Sequence, residues 1–203
     1  MVQDFITNLH TALKPIGFKK KRHTFLQVEN EFYNLINIQK SQFGDDFYIN
    51  IGVHPIGLPQ LITDRLQIKE TISIFDCMLQ TRVEPIYTKK NYLLHNVSHE
   101  TTHMPYYLSI IQDRFQTWTS YKNLVNTNRH SITPILSVVP ILQEKAFLLL
   151  TCFAFYNLKQ YEQANHYLQQ YLHCSVHLNN EEKEPIFFHK VDMYMKKLVE
   201  NAM

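Results

Sequence analysis

The sequence predicts an α+β fold. It has an antiparallel sheet of about four strands, an N-terminal helix packed on one face of it, and an all-helical layer at the C-terminus. Three observations carry that prediction. Residues 2–14 place Val2, Phe5, Ile6, Leu9, Ala12 and Leu13 at helical spacing. Residues 34–55, NLINIQKSQFGDDFYINIGVHP, alternate apolar and polar side chains on either side of a turn. From Pro140 onward, apolar residues recur at the helical period.

The first helix is amphipathic, and Pro15 and Gly17 stop it. The segment HTFLQV, residues 23–28, reads as a short strand followed by a turn at Asn30. The central hairpin can then be placed in register. With its turn centred on Phe43 and Gly44, Gln39 falls opposite Tyr48, Asn37 opposite Asn50, and Leu35 opposite Gly52. On the other face Ile38 meets Ile49 and Ile36 meets Ile51. Side chains alternate across a strand, so two faces separate. One carries Ile36, Ile38, Phe47, Ile49, Ile51 and Val53, and it is the face for the helix to cover. The other carries Tyr33, Asn37, Gln39, Tyr48, Asn50 and His54. An antiparallel sheet commonly leaves one face wet, but Lys, Glu and Thr are more usual there than amides and tyrosines. Two readings stand side by side: a solvated or second-core face, and a binding surface.

Two prolines and a glycine make PIGLPQ, residues 55–60, a loop. ITDRLQIKETI reads as a short helix or an extended edge. ISIFDCMLQTRV, residues 72–83, reads as a fourth strand. Its alternation puts Cys77, Leu79, Thr81 and Val83 on one face, and Asp76, Met78, Gln80 and Arg82 on the other. After Pro85 the pattern turns helical. A helix is expected over 105–125, with Pro105 suited to its first turn. Three more are expected over 140–157, 160–176 and 185–201. Tyr161, Ala164, Leu168, Tyr171 and Leu172 mark the inner stripe of the middle one. YNLKQYEQANHYLQQYL is similar to half of a tetratricopeptide-type hairpin, but such an array needs at least about three stacked repeats. The expected division is an α+β domain over 1–125 and a helical extension over 126–203, packed on it as one unit.

Composition bounds the function. The chain has 203 residues, 45% hydrophobic and 19% charged, and its formal charge is +2 (20 Lys and Arg against 18 Asp and Glu). That balance allows a full core and is too small to argue for a nucleic-acid partner. Cys77, Cys152 and Cys174 are odd in number and widely spaced, as reduced thiols in a cytoplasm are. MVQDFITNLH has an acid at position 4 and no apolar core of a signal peptide. The longest greasy run, AFLLLTCFAFY (146–156), is too short to span a bilayer. The expected setting is cytoplasmic, without membrane.

Candidate chemistry is sparse. HNVSHETTH sets His95, His99 and His103 four apart, which on one helix would offer imidazoles to a metal. Asn96, Ser98, Thr101 and Thr102 are poor helix formers, however, and favour a loop. HCSVH offers His173, Cys174 and His177, with the exposed end of an amphipathic helix as the plainer reading. KKKRH, residues 19–23, could touch phosphates, but it has no interleaved aromatics and reads as a solvated loop. GxSxG, P-loop and GxGxxG patterns are absent, and four glycines leave little raw material for a phosphate cradle. No catalytic residue, metal or cofactor is assigned.

Several elements carry a family resemblance: Leu13-Lys14-Pro15, Gly17-Phe18-Lys19-Lys20, Thr24-Phe25, Asn37, Gln39-Lys40-Ser41, Phe47-Tyr48-Ile49-Asn50 and Gly52-Val53. Together they resemble the domain-of-unknown-function family DUF4304. DCMLQTRV resembles that family's later strand, matching its Cys and Arg at Cys77 and Arg82, with Met78 where a histidine is expected. The resemblance covers residues 1–85 well, 86–125 faintly and 126–203 not at all. It implies an α+β domain in bacteria and no known reaction, substrate or catalytic residue.

The favoured functional reading is a non-enzymatic bacterial interaction protein whose partner is another protein. A toxin-neutralising immunity protein is one such form. The alternative is a small-ligand binder or an enzyme using a pocket beside Asn37, Gln39, Tyr48, Asn50 and Arg82. Oligomeric state stays open.

Overall fold

The computed structural model describes residues 2–42, 46–66, 72–85, 95–96, 103–176 and 188–203. The turn expected at Phe43 and Gly44, and residues His99 and His177, lie outside these. The chain forms two compact units, Met1–Pro55 with Ser73–Thr119 and Ile56–Ile72 with Ser120–Met203.

The first unit opens with α1 (Val2–Leu13), which buries Val2, Phe5, Ile6, Leu9 and Leu13. Each such side chain contributes about 1.5–3 kcal/mol when fully buried. Pro15 lies in the 3₁₀ turn Lys14–Ile16, and Gly17 closes that turn at φ 92°. Only glycine adopts that conformation without steric cost.

An antiparallel sheet follows: β1 (Lys19–Lys21), β2 (Thr24–Glu29), β3 (Phe32–Lys40), β4 (Asp46–Pro55) and β5 (Leu79–Arg82), adjacent in that order. The short β6 (His95–Asn96) also pairs with β4. Asn30 and Glu31 join β2 to β3 at φ 49° and 66°. Two positive φ angles in succession make a type I′ turn, whose twist matches that of the flanking strands. The central register is the expected one: Asn37 faces Asn50, Gln39 faces Tyr48, Leu35 faces Gly52, Ile38 faces Ile49 and Ile36 faces Ile51. Ile36, Ile38, Phe47, Ile49, Ile51 and Val53 are all buried.

Two strand assignments need correction. The main order holds five strands rather than about four, because the basic run expected to be a loop contains β1. Three lysines carry no apolar alternation, and lysine at a sheet edge discourages further pairing. The strand expected over 72–83 begins only at Leu79. Ahead of it, Ile74–Asp76 is a 3₁₀ turn held by Ser73, whose backbone N–H and hydroxyl both donate to Asp76 Oδ2 at 2.7 Å. The turn breaks the alternation. Cys77 therefore lies over Gly52, on the amide side of the sheet, and not beside Leu79.

Helix α2 (Met104–Trp118) has Pro105 in its first turn and buries Tyr107, Ile111, Phe115 and Trp118. Phe5 lies 4.7 Å from Phe47 and 6.4 Å from Tyr107, ring centre to ring centre, so α1 and α2 share the apolar face. The helix expected to reach 125 stops at Trp118. Thr119 Oγ1 donates to the Phe115 carbonyl at 2.7 Å, a local bond that competes with helix continuation.

The second unit is helical. Ser120 caps α3 (Tyr121–Asn126), and Asn128 caps α4 (Arg129–Ile132). Helix α5 (Gln143–Asn157) is buried nearly all round, from Ala146 and Leu148 through Ala154, as its unbroken apolar run requires. Helix α6 (Tyr161–His173) turns its Ala164–Leu168–Tyr171 stripe inward. Helix α7 (His189–Glu200) buries Val191, Met195 and Val199. Asp64, on the 56–72 segment, accepts the Val191 N–H at 3.0 Å, a negative charge at the positive end of α7. Lys145 is 4% exposed. Its ammonium donates to the Tyr171 carbonyl at 3.0 Å and to that of Cys174 at 3.4 Å, two carbonyls at the C-terminal end of α6. Burial pushes its pKa down, and Asp192 opposes that shift. Among the described residues, no helix is long and apolar enough to cross a membrane.

Candidate functional site

On the second face of the sheet, register sets Thr24, Asn37, Asn50 and Arg82 side by side on β2, β3, β4 and β5. Neighbouring strands lie about 4.8 Å apart, within reach of these side chains. They join in a directed chain. Arg82 Nε donates to Asn50 Oδ1 at 3.2 Å. Asn50 Nδ2 donates to Asn37 Oδ1 at 3.4 Å and to Gln39 Oε1 at 3.3 Å. Asn37 Nδ2 donates to Thr24 Oγ1 at 3.0 Å. The Asn50 contacts are at the long end of the hydrogen-bond range and correspondingly weak. The Arg82 guanidinium lies 4.0 Å above the Tyr48 ring, a cation–π stack. Its outward N–H groups meet no carboxylate among the described residues.

The face divides along the strands. At one end Leu35, Gly52 and His54 are buried. A Cβ on Gly52 would lie 2.6 Å from Ile74 Cδ1 and 2.7 Å from Cys77 Sγ, so the 3₁₀ turn closes over the sheet only because residue 52 has no side chain. Toward the other end Asn37, Tyr48 and Asn50 are half-buried, and Gln39 and Arg82 are exposed. A cleft of ≈ 170 Å³ lies between Gln39, Asn50, Gln80 and Arg82 on the sheet and Ile74 and Phe75 on the wall. Gln80 Nε2 donates to the Ile74 carbonyl and holds that wall in place. Phe75 stands at its rim, 80% exposed.

The five residues singled out from the sequence, Asn37, Gln39, Tyr48, Asn50 and Arg82, thus share one open patch. It offers directional donors and acceptors, a planar cation and an aromatic edge. Cys77, the thiol nearest to it, is buried, and burial followed by the Asp76 charge pushes its pKa well up, which removes it as a nucleophile.

The described histidines of the two clusters, His95, His103 and His173, lie on or beside three different elements. His95 lies on β6 and His103 immediately precedes α2, so no single helix carries His95, His99 and His103. His173 ends α6 with its ring bonded to the Gln169 carbonyl of the same helix. Among the described residues, no three His, Cys, Asp or Glu side chains are grouped to hold a metal. Thr24 and Phe75 belong to the patch without having been singled out. The Ser73-x-x-Asp76 spacing, a helix-start signature, was the available signal for Phe75's turn.

A search of curated proteins and a search of solved structures found no match. The family model described as domain of unknown function (DUF4304) matches residues 9–144. That is well over half of the chain, and it runs past residue 125, beyond the reach of the sequence motifs. It takes in every strand of the sheet and the whole polar patch, and the chain belongs to the DUF4304 family.

Proposed function

We propose that this chain is a non-enzymatic protein-recognition module of the bacterial cytoplasm, which docks a partner protein on the open part of its amide-lined face. Neutralisation of a toxin by direct binding is the specific form of this role that we favour. The observation that carries the reading is the pairing of an exposed aromatic, Phe75, with a stacked arginine that has no ion pair among the described residues. Aromatic and arginine side chains dominate the binding energy of protein interfaces. The cleft between them supports docking over capture of a small molecule. Its ≈ 170 Å³ falls below the roughly 300–1,000 Å³ of ligand pockets. Three free cysteines agree with a reducing compartment.

The test is a photo-crosslinker placed at Phe75 (Phe75→p-benzoylphenylalanine) in cells that naturally carry the chain. The expected result is a discrete crosslinked protein that disappears when Tyr48→Ala and Asn50→Ala are added. No crosslink, or one indifferent to those changes, would refute docking at this face.

A further inference from the structure

We propose that the open face takes an acidic polypeptide segment laid across the strands, with carboxylates anchored at both edges of the sheet. This rests on the docking reading above and specifies the partner's chemistry. Lys21 of β1 faces Thr24, so the polar rung continues onto a fifth strand. It runs Lys21, Thr24, Asn37, Asn50, Arg82, with a cation at each end and three neutral side chains between. Lys19, opposite Leu26, adds a second cation to the same side, while alternation puts Lys20 on the other face. Lys19, Lys21 and Arg82 are all exposed. Arg129–Glu144, Lys145–Asp192 and Lys196–Glu200 are ion pairs among the described residues, and none of the three edge cations is paired with a described carboxylate. By strand parity Asp46, at the start of β4, and Glu84, beyond the end of β5, lie on this side, and Asp76 joins them from the 3₁₀ turn, where Ser73 donates to its carboxylate.

Four inter-strand steps of about 4.8 Å put the two cationic edges about 19 Å apart. An extended segment covers that distance in about six residues, so two acids at that separation reach both edges. The amides between them keep part of their capacity for the segment's backbone: Asn37 has one N–H to give, and Asn37 Oδ1 and Asn50 Oδ1 can each accept one further bond. A single-stranded nucleic acid fits this arrangement poorly. It calls for cations along its track and open aromatic faces for its bases, whereas here the middle is neutral and Arg82 covers the ring of Tyr48.

The test is fluorescence anisotropy on the full chain with three labelled probes: a short poly-L-glutamate, poly-L-lysine of equal length, and a single-stranded RNA of equal charge. Poly-L-glutamate is expected to bind, more weakly as salt rises. Lys21→Gln and Arg82→Gln are each expected to weaken it about three- to fivefold, and Arg82→Lys to recover part of the loss. Lys20→Gln, with the same change in charge on the opposite face, is expected to leave binding unchanged. No binding of poly-L-glutamate, equal loss with Lys20→Gln, or tighter binding of RNA would each overturn the proposal. A Phe75 crosslink that persists without poly-L-glutamate binding would discard the acidic partner and keep the docking face. Poly-L-glutamate binding with the Lys21 and Arg82 dependence above but without a Phe75 crosslink would discard a cellular protein partner at Phe75 and keep the preference of this face for an acidic segment.

Discussion

At residue 52 the absence of a side chain decides how much of the amide face stays open. The pairing of Gly52 with Leu35 is legible from strand alternation, but its reason is not. The Ile74–Asp76 turn that needs the space comes from more than twenty residues downstream. The same turn moved Cys77 to the side opposite the one that alternation assigns, because one 3₁₀ turn resets a period-two pattern. The three thiols consequently differ. Cys77 and Cys152 are buried and Cys174 is half-exposed. Burial pushes Cys152 from 9.0 to about 12 and Cys77 further. Ellman's reagent is expected to modify Cys174 alone in the native protein, and the other two only after unfolding. Rapid native labelling of Cys77 or Cys152 would contradict their placement. Both folded-state values lie above the unfolded one. Their contribution to stability is therefore complete below pH 9.0 and is lost as pH rises from there toward about 12. Urea midpoints measured across that window are expected to fall.

Elements with a strong periodic signal were legible, and elements made by capping or edge chemistry were not. The hairpin of β3 and β4 declared both its faces because one-residue slippage would turn its isoleucines out of the core and bring the polar side chains in. Helix α5 was legible as a buried helix from its unbroken apolar run. Strand β1 was hidden by three lysines, and the break after α2 by the side chains of Thr119 and Ser120. The two faces of β3 give a sharp contrast between adjacent residues. Ile36 is fully buried, so Ile36→Asp places an unpaired charge in the core and is expected to unfold the first unit. Asn37, one position on, is half-buried with a bond to Thr24, and Asn37→Ala is expected to cost about 1 kcal/mol. Chemical denaturation of both variants checks the pair, and equal losses would refute the two-face assignment.

Across the whole molecule, the near-neutral balance conceals a local asymmetry. A formal charge of +2 over 203 residues gave no sign that cations gather at both edges of one sheet face. That information lies in register, and β1 had no legible register until the sheet was seen. The patch itself was legible, because amides and a tyrosine on the polar side of a hairpin fall together once pairing is fixed. Its partial closure by the 3₁₀ turn was not. If the rung exists for recognition rather than for holding the sheet together, removing Asn50, its most connected amide, should leave the fold nearly untouched. Asn50 makes three contacts of 3.2–3.4 Å from a half-exposed position, together worth about 1 kcal/mol or less. The most direct measurement is the thermal melt of Asn50→Ala against the parent chain. The expected drop is no more than about 3 °C, since 1 kcal/mol shifts a chain of this size by about 2–4 °C. A drop of more than about 6 °C would mean that the amide is structural, and would contradict a face kept for binding.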